Sequence, residues 1–337
     1  MPAIVTLAAV ASPSHSRSNA LWSLARVAAE SLSVTIRAPG VATRIGLATV
    51  VIIPGPLGSA FSMRHVTSAL AARGVRSIVI DPLGLGSSSR PAKADYSLAR
   101  QAERIAQVLD TLHVSRAVLV GHGTGASVAL RLAALRPNVV AGILSISGGP
   151  VDRQGTRGVK LALSFSRLID TPPGRMLARR QFRGAMREQS FDDAWCTADA
   201  LHAYLAPVER DVKAYLRTLY AMSIAVEPSL IAAALTHVRA PLIVIVGAMR
   251  TPSTPTDAQL ALLVNTLPTV RVDTVERSGT MQHEERPVEV AERILALLDQ
   301  YSAAPGGEWP WQGGSRWDRS LQPSHADAGS ALTRFGL

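Results

Sequence analysis

The position with the clearest chemical meaning in this sequence is a turn whose central residue has no side chain. Residues 121 to 125 read Gly-His-Gly-Thr-Gly, between an apolar run and an alanine-rich helical pattern. In a strand, turn and helix of the form G-x-S-x-G, the central serine lies on a strained turn and attacks the substrate as a nucleophile. Gly123 occupies that central position. The glycines that permit the turn are therefore present, whereas the nucleophile is absent.

The segments around this turn predict the architecture that must position it. Short apolar runs are typical of buried parallel strands, and the amphipathic segments after them are typical of helices that cover a sheet. The predicted strands are residues 48–53, 77–80, 117–120, 139–147, 241–246 and 270–275. The predicted helices are residues 62–73, 97–112, 124–135, 257–267 and 288–298. This alternation predicts an α/β fold with a doubly wound, mostly parallel sheet.

The alternation of strands and helices lapses once inside the chain. Residues 149–237 carry helical and polar sequence with no strong strand signal. We expect them to form a helical cap inserted into an α/β core, which would comprise residues 33–148 and 238–300. Within that core, residues 33–46 alternate like a hairpin that turns at Pro39 and Gly40.

Both ends of the chain are predicted to be irregular extensions. In the N-terminal extension, residues 1–32, the segment 18–32 fits an amphipathic helix. The C-terminal extension, residues 301–337, is rich in Gly, Pro and Ser and lacks any periodicity. It nevertheless contains Trp309, Trp311 and Trp317. Because tryptophan is enriched at the centres of interfaces, we expect these three residues to contact a partner.

Four landmarks give the chain from about residue 33 to 300 a family resemblance. The Ile-Pro-Gly at 53–55 stands where the family has a His-Gly pair in its oxyanion loop, and 81–88 match a D-x-x-G-x-G-x-S turn. LVGHGTG at 119–125 matches the nucleophile turn except at its centre, and 278–287 match a closing loop G-H-x-x-x-x-E-x-P except at its His. The chain thus resembles the capped members of the α/β-hydrolase superfamily, which implies the α/β-hydrolase fold.

The resemblance implies where a catalytic triad would stand, and all three positions differ. Hydrolysis in this family needs a nucleophile, a base that takes its proton, and an acid that orients the base. The nucleophile position is Gly123 and the base position is Thr280. The acid position, three residues beyond Gly247, is Arg250. We interpret these as degenerate triad positions with no catalytic residue among them.

Four other side chains could compensate for the missing triad. Thr124 follows the turn centre, where the family uses the backbone N–H, and would be a relocated nucleophile. His283 and His122 are potential bases, although the family resemblance favours structural roles for both. Asp152, just beyond the fourth predicted strand, could be a relocated acid. Neither zinc-ligand spacing nor a phosphate-binding glycine loop occurs, so we expect no metal and no cofactor.

Composition and charge restrict the partners. A net charge of +10 favours anionic surfaces, such as acidic proteins or lipid headgroups, and we expect no specific binding of nucleic acid. Within the cap, Arg175, Arg179, Arg183 and Arg187 recur every four residues and predict a basic ridge on a helix. This ridge is either a solvated surface or a docking surface. A single cysteine and the lack of a membrane-spanning apolar run favour a cytoplasmic location, with a peripheral place at a membrane complex left open.

Three hypotheses about function follow. The first is a non-catalytic pseudoenzyme that serves as a structural or docking subunit of a larger assembly of protein subunits, with a membrane complex as one form of that assembly. The second is a receptor that binds an unknown small molecule in the old substrate pocket. The third is a hydrolase with residual or relocated activity. The loss of all three triad side chains favours the first.

Overall fold

The computed structural model describes residues 7–9, 20–27, 30–38, 48–154 and 158–303. Within these ranges the chain forms one nine-stranded sheet and twelve helices. The strands are β1 (Leu7–Ala9), β2 (Ala20–Val27), β3 (Glu30–Arg37), β4 (Thr49–Ile53), β5 (Ser77–Asp81), β6 (Ala117–His122), β7 (Val140–Ile146), β8 (Leu242–Gly247) and β9 (Val270–Val275).

The helices fall into two groups. Those of the α/β alternation are α1 (Arg64–Ala72), α2 (Leu98–Thr111), α3 (Thr124–Leu135), α10 (Asp257–Thr266), α11 (Gln282–Glu285) and α12 (Pro287–Ala303). Those between β7 and β8, which we call the cap, are α4 (Val159–Ser164), α5 (Ser166–Ile169), α6 (Pro172–Glu188), α7 (Ala198–Glu209), α8 (Val212–Ile224) and α9 (Ile231–Leu235).

The strand order confirms the predicted fold class. The sheet runs β1-β2-β3-β5-β4-β6-β7-β8-β9. The six strands from β5 to β9 in that order pair in parallel, and β1, β2 and β3 extend the sheet in antiparallel fashion. Each of the six strands predicted from apolar runs is present. The carboxyl ends of parallel strands share one edge of the sheet, where such folds carry their sites.

The predicted amphipathic helix at residues 18–32 is wrong. Residues 20–27 form β2, which pairs in antiparallel register with β3, so that Leu24 lies opposite Ser33. The ladder satisfies backbone groups that a helix would have satisfied internally, and the short apolar pattern fits either period. The predicted hairpin turning at Pro39 and Gly40 is also wrong, because both edges of β3 are already occupied, by β2 and by β5. Residues 39–47 lie outside the described residues.

Alternate residues of the central strands pack into two hydrophobic layers, one on each face of the sheet. Val51 and Leu119 pack on the side covered by α2 and α3, whereas Val50 and Val118 pack on the side covered by α1 and α12. Aliphatic side chains fill both layers, as a sequence with only 4% aromatic residues requires. The doubly covered sheet holds the end of β6, and with it the turn at Gly123, in a fixed position.

Buried ionic contacts hold the end of the cap against the core. Glu227 accepts hydrogen bonds from the backbone N–H groups of Leu98 and Ala99, at 2.6 and 3.0 Å, and so caps α2. Arg131 on α3 lies 3.3 Å from Glu227 and 2.8 Å from Asp152. Among the residues that the structure describes, no helix is long and apolar enough to cross a membrane.

Candidate active site

The turn after β6, which we call the elbow (residues 121–125), keeps the geometry of a nucleophile turn. Gly123 has φ +54° and ψ −122°, a conformation that side-chain-bearing residues rarely adopt. A Cβ on Gly125 would lie 2.2 Å from the carbonyl oxygen of Ile53, so the helix start packs directly on β4. A Cβ on Gly123 would meet no atom within 4 Å. The elbow therefore leaves open space where a nucleophilic side chain would stand.

The tautomer of His122 follows from its single hydrogen bond. Its Nε2 lies 3.1 Å from the carbonyl oxygen of Thr280, which can only accept, so Nε2 carries the proton. Its Nδ1 is consequently a free lone pair, buried and with no hydrogen-bond partner among the described residues. This atom lies 3.5 Å from the position of a Cβ on Gly55 in the loop after β4. The lone pair is thus held beside the loop that would face a substrate oxygen.

His283 is in the same tautomeric state. The Tyr204 hydroxyl donates to Glu284 Oε1 at 2.6 Å, so it can only accept from His283 Nε2, which lies 3.4 Å away. The Nδ1 of His283 is also buried and has no partner among the described residues. The rings of His283 and His122 meet edge to face, with centroids 4.4 Å apart. The two imidazoles form a buried pair, each with an unshared lone pair.

Burial keeps both imidazoles neutral near neutral pH. It lowers the pKa of His122 from 6.5 to about 4, against a smaller opposing effect of the hydrogen bond to Thr280. Burial also lowers the pKa of His283 well below its ordinary value, and the neighbouring His122, Arg64 and His65 add to this effect. Both rings are therefore neutral, each with a lone pair on Nδ1.

The cap packs against Thr280, the predicted position of the base. Gln189 follows α6, and its Oε1 accepts hydrogen bonds from the hydroxyls of Thr280 at 2.6 Å and Thr251 at 3.1 Å. Its carbonyl oxygen accepts from the Thr280 N–H at 2.8 Å. We call this set, with the adjoining Gly279, the corner. Neutral hydrogen bonds occupy the corner, so no side chain there can exchange a proton near neutral pH.

Arg250 points away from the corner. Its guanidinium lies 3.3 Å from Asp257 Oδ1 and donates to the carbonyl oxygen of Pro255 at 3.3 Å. The side chain is about half exposed. The structure thus brings Gly123 and Thr280 to the same edge of the sheet but directs Arg250 towards solvent. That these are degenerate triad positions stays a prediction.

A second cluster joins the cap to the closing loop. Glu284 is fully buried, pairs with Arg64 at 2.6 Å, and accepts the hydrogen bond from Tyr204 on α7. Glu285 accepts from the backbone N–H of Asp192 at 2.9 Å. Gln189, Tyr204 and Glu284 were missed by sequence reasoning. The only signal nearby was the Glu of the closing-loop motif, which is Glu285, because the partners of the three missed residues lie far away in the sequence.

The cavity beside the elbow is small. Its volume is about 10 Å³, which is room for about one water molecule. Thr124 lines it at the start of α3, with Gln154 and Met222 opposite. A receptor would need a larger preformed cavity. The cavity therefore gives the receptor hypothesis no support.

The remaining predicted residues lie elsewhere. Asp152 is committed to Arg131 and to the N–H of Ile231 at 2.6 Å, so it is no relocated acid. Thr124 is the first residue of α3, where the backbone N–H groups lack intrahelical acceptors and favour a negative charge. Within the described ranges no group of three or more His, Cys, Asp or Glu residues could hold a metal.

The arginine ridge is present on α6, and most of its charge is matched within the chain. Its ion-pair partners are Asp170 for Arg175, Glu209 for Arg179 and Asp193 for Arg187, at 2.6, 2.6 and 2.7 Å. Arg183 donates to the carbonyl oxygen of Cys196 at 3.4 Å. Its role in docking stays a prediction. Trp309, Trp311 and Trp317 lie outside the described residues.

Comparison with known proteins places the chain in a family. Residues 50–293 match the model of the alpha/beta hydrolase family. Because the match spans more than half of the chain, this protein belongs to the alpha/beta hydrolase family, as its sheet order and elbow indicate.

Its relatives carry hydrolase names. Epoxide hydrolase B of Mycobacterium tuberculosis is 40% identical over 100 residues, 29% of this chain and 28% of that protein. RutD of Klebsiella pneumoniae, named as a carbamate hydrolase, is 37% identical over 68 residues, 20% of this chain and 26% of that protein. The chain thus aligns with less than a third of each. The crystal structure of Cfl2 from Burkholderia cenocepacia superposes with a TM-score of 0.65 at 20% identity, over 83% of this chain and 96% of that one, and shows the fold alone.

These relatives overturn our leading hypothesis. We expected a non-catalytic pseudoenzyme that serves as a structural subunit, and the hydrolase names of the matched proteins contradict it. The reasoning failed at one step. Losing the triad side chains removes a covalent route through a seryl intermediate, but a water molecule can attack directly when another base accepts its proton.

Proposed function

We propose that this protein is a hydrolase that activates water with the imidazole of His122, without a covalent intermediate. The observation that carries the proposal is the buried, free Nδ1 lone pair of His122 next to the elbow. The hydrogen bond to Thr280 fixes the tautomer, and burial keeps the ring neutral. The hydrolase names of the relatives support the reaction class.

The reaction that fits this geometry is direct hydrolysis of an ester. Water attacks the carbonyl carbon while His122 Nδ1 takes its proton, and the carbonyl electron pair moves onto oxygen. The free N–H groups at the start of α3, beginning with Thr124, stabilise that oxyanion. The intermediate then expels the alkoxide, which receives the proton from His122. The acid, the alcohol and the neutral imidazole result.

The space at the elbow supports a small substrate. Outside residues 122–124, a Cβ on Gly123 would meet no atom within 4 Å, and the attacking water can occupy this space. The neighbouring cavity, lined by Thr124, measures about 10 Å³, room for about one water molecule, so the acyl group of the probe is kept as small as possible. We therefore choose an acetyl ester as the probe.

The first test is the hydrolysis of p-nitrophenyl acetate by the wild type and by His122→Gln. The Gln amide can still donate to the Thr280 carbonyl, so the variant keeps the structural hydrogen bond and loses the lone pair. We expect kcat to fall by roughly 100-fold, the lower end of general-base contributions. The matched control is His113→Asn, because His113 is exposed and its φ of +51° is one that Asn tolerates.

The pH profile separates His122 from an ordinary surface base. With its pKa lowered to about 4, kcat should rise with pH near 4 and remain flat through neutral pH, whereas a surface imidazole would give a rise near 6.5. A wild-type rate equal to that of buffer, or an unchanged rate in His122→Gln, would refute the proposal.

A further inference from the structure

An exposed apolar stripe lies on the first two helices of the cap. Leu161, Phe165 and Leu168 are spaced by four and three residues, which places them on one face of the helical run α4–α5. Their exposed fractions are 65%, 54% and 64%. Val159 and Ser166, on the other side of the run, are buried. The stripe is therefore the outward face of a helical run whose inner face is packed.

The next helix carries two further exposed apolar residues. Met176 and Leu177, in the first turns of α6, are 71% and 57% exposed, and α5 packs against α6. Single exposed apolar residues are ordinary on protein surfaces. Five within seventeen residues of chain are not, and such patches mark sites of interaction with proteins or membranes.

The charge around the stripe is positive. Lys160, Arg167 and Arg180 are exposed, and the described residues include no acid paired with any of them. The acid nearest in sequence, Asp170, is already paired with Arg175 at 2.6 Å. An apolar helical face flanked by unmatched Lys and Arg has the chemistry of a helix that lies in a lipid interface.

We propose that the outward face of α4, α5 and the start of α6 docks on an anionic lipid surface. The apolar stripe would enter the boundary between headgroups and acyl chains, and the three cations would contact lipid phosphates. The proposal does not depend on hydrolysis. Charge complementarity selects the occupant, because an acidic protein would need carboxylates matched to each cation, whereas an anionic bilayer presents negative charge at every position.

Docking through this face leaves the corner uncovered. At about 1.5 Å per residue, α6 places Met176 roughly 20 Å from Gln189 in the corner. Of the ridge arginines between them, Arg179 and Arg187 are paired with acids of the same chain, and Arg183 donates to the carbonyl oxygen of Cys196. Docking through the start of α6 therefore puts the lipid surface at the far end of the cap.

The test is co-sedimentation of the full chain with vesicles of phosphatidylglycerol and phosphatidylcholine in equal parts, and with phosphatidylcholine alone. We expect binding to the mixed vesicles and about 100-fold weaker binding to the neutral ones, because three cations near the surface each contribute about a factor of five. The variant Leu161→Gln/Phe165→Gln/Leu168→Gln should lose binding to the mixed vesicles and keep its Tm.

Two controls match the composition of these changes. Val288→Gln alters an equally exposed apolar residue on α12 and should bind like the wild type.

The contribution of the cations is tested separately. Lys160→Gln/Arg167→Gln/Arg180→Gln should bind mixed vesicles about 100-fold more weakly. Its control, Arg73→Gln/Arg76→Gln/Arg239→Gln, removes the same charge elsewhere and should change binding far less. Retained vesicle binding by the triple Gln variant of the stripe would overturn the proposal. So would a dimer in sedimentation equilibrium that this variant abolishes, since a second copy would then be the occupant.

Discussion

The elbow and the corner lie at the same edge of the sheet, but the space beside the elbow is open and the space at the corner is filled. At the elbow, a missing side chain leaves open space around Gly123 and two neutral imidazoles nearby. At the corner, Gln189 of the cap fills the space and ties Thr251 to Thr280. The difference shows that two neighbouring turns can be shaped by different means. Backbone conformation keeps the space open at the elbow, and a hydrogen-bonding side chain fills it at the corner.

The strongest test of this difference is to add one methyl group at the corner and one at the elbow. In Gly279→Ala the new Cβ would lie 2.1 Å from the carbonyl oxygen of Gln189, and we expect a loss of about 3 kcal/mol or more in the free energy of unfolding. In Gly123→Ala the space is open and only the strain of φ +54° with ψ −122° remains, about 1 to 3 kcal/mol. Urea denaturation measures both, and equal losses would remove the distinction.

Acid should destabilise the elbow through His122. Its pKa is about 4 in the folded protein and near 6.5 when unfolded, so between these values only the unfolded chain binds the proton. Stability is therefore lost as the pH falls from 6.5 to 4, by about 2 to 3 kcal/mol from this residue.

The control for this prediction is His122→Gln, which lacks the titrating ring. Asp81 has the opposite effect. Burial raises its pKa to about 7, so this residue makes the folded protein less stable as the pH rises over the same range. The difference between wild type and variant isolates the imidazole from this opposing effect. Relative to the variant, the wild type should lose about 2 to 3 kcal/mol in free energy of unfolding as the pH falls from 6.5 to 4, and parallel curves would contradict the burial argument.

Removing the side-chain amide of Gln189 should lower the free energy of unfolding. Gln189→Leu removes the amide oxygen that accepts from the hydroxyls of Thr280 and Thr251 and leaves them only longer contacts, to the carbonyl oxygen of residue 189 at 3.3 Å and to Thr254 Oγ1 at 3.4 Å. We expect a cost of about 1 to 2 kcal/mol. Adding Thr280→Val should recover part of this, because both partners of one bond are then apolar. Gln107→Leu is the matched control, since the Gln107 Oε1 has no partner among the described residues. Purely additive losses in the double variant would mean that the two side chains are not coupled.

Sequence patterns predicted the central sheet well because each buried strand is a short apolar run bounded by glycine or proline turns. They failed for residues 20–27, where a short apolar pattern fits a helix as well as a strand and the pairing partner decides. They also missed Gln189, whose partners Thr251 and Thr280 lie 62 and 91 residues away. Contacts over such separations leave no local periodicity.

The sequence by itself determined the elbow: the glycines at 121, 123 and 125, between a strand and a helix pattern, set both its backbone and its lack of a nucleophile. It also determined that positions 250 and 280 hold no acid and no imidazole. Only the tertiary structure decided the state of His122, because its tautomer depends on a carbonyl oxygen 158 residues away, and its neutrality depends on burial that several elements create together. The Nδ1 lone pair of His122 is left as an acceptor because the fold holds Nε2 as a hydrogen-bond donor to the Thr280 carbonyl oxygen.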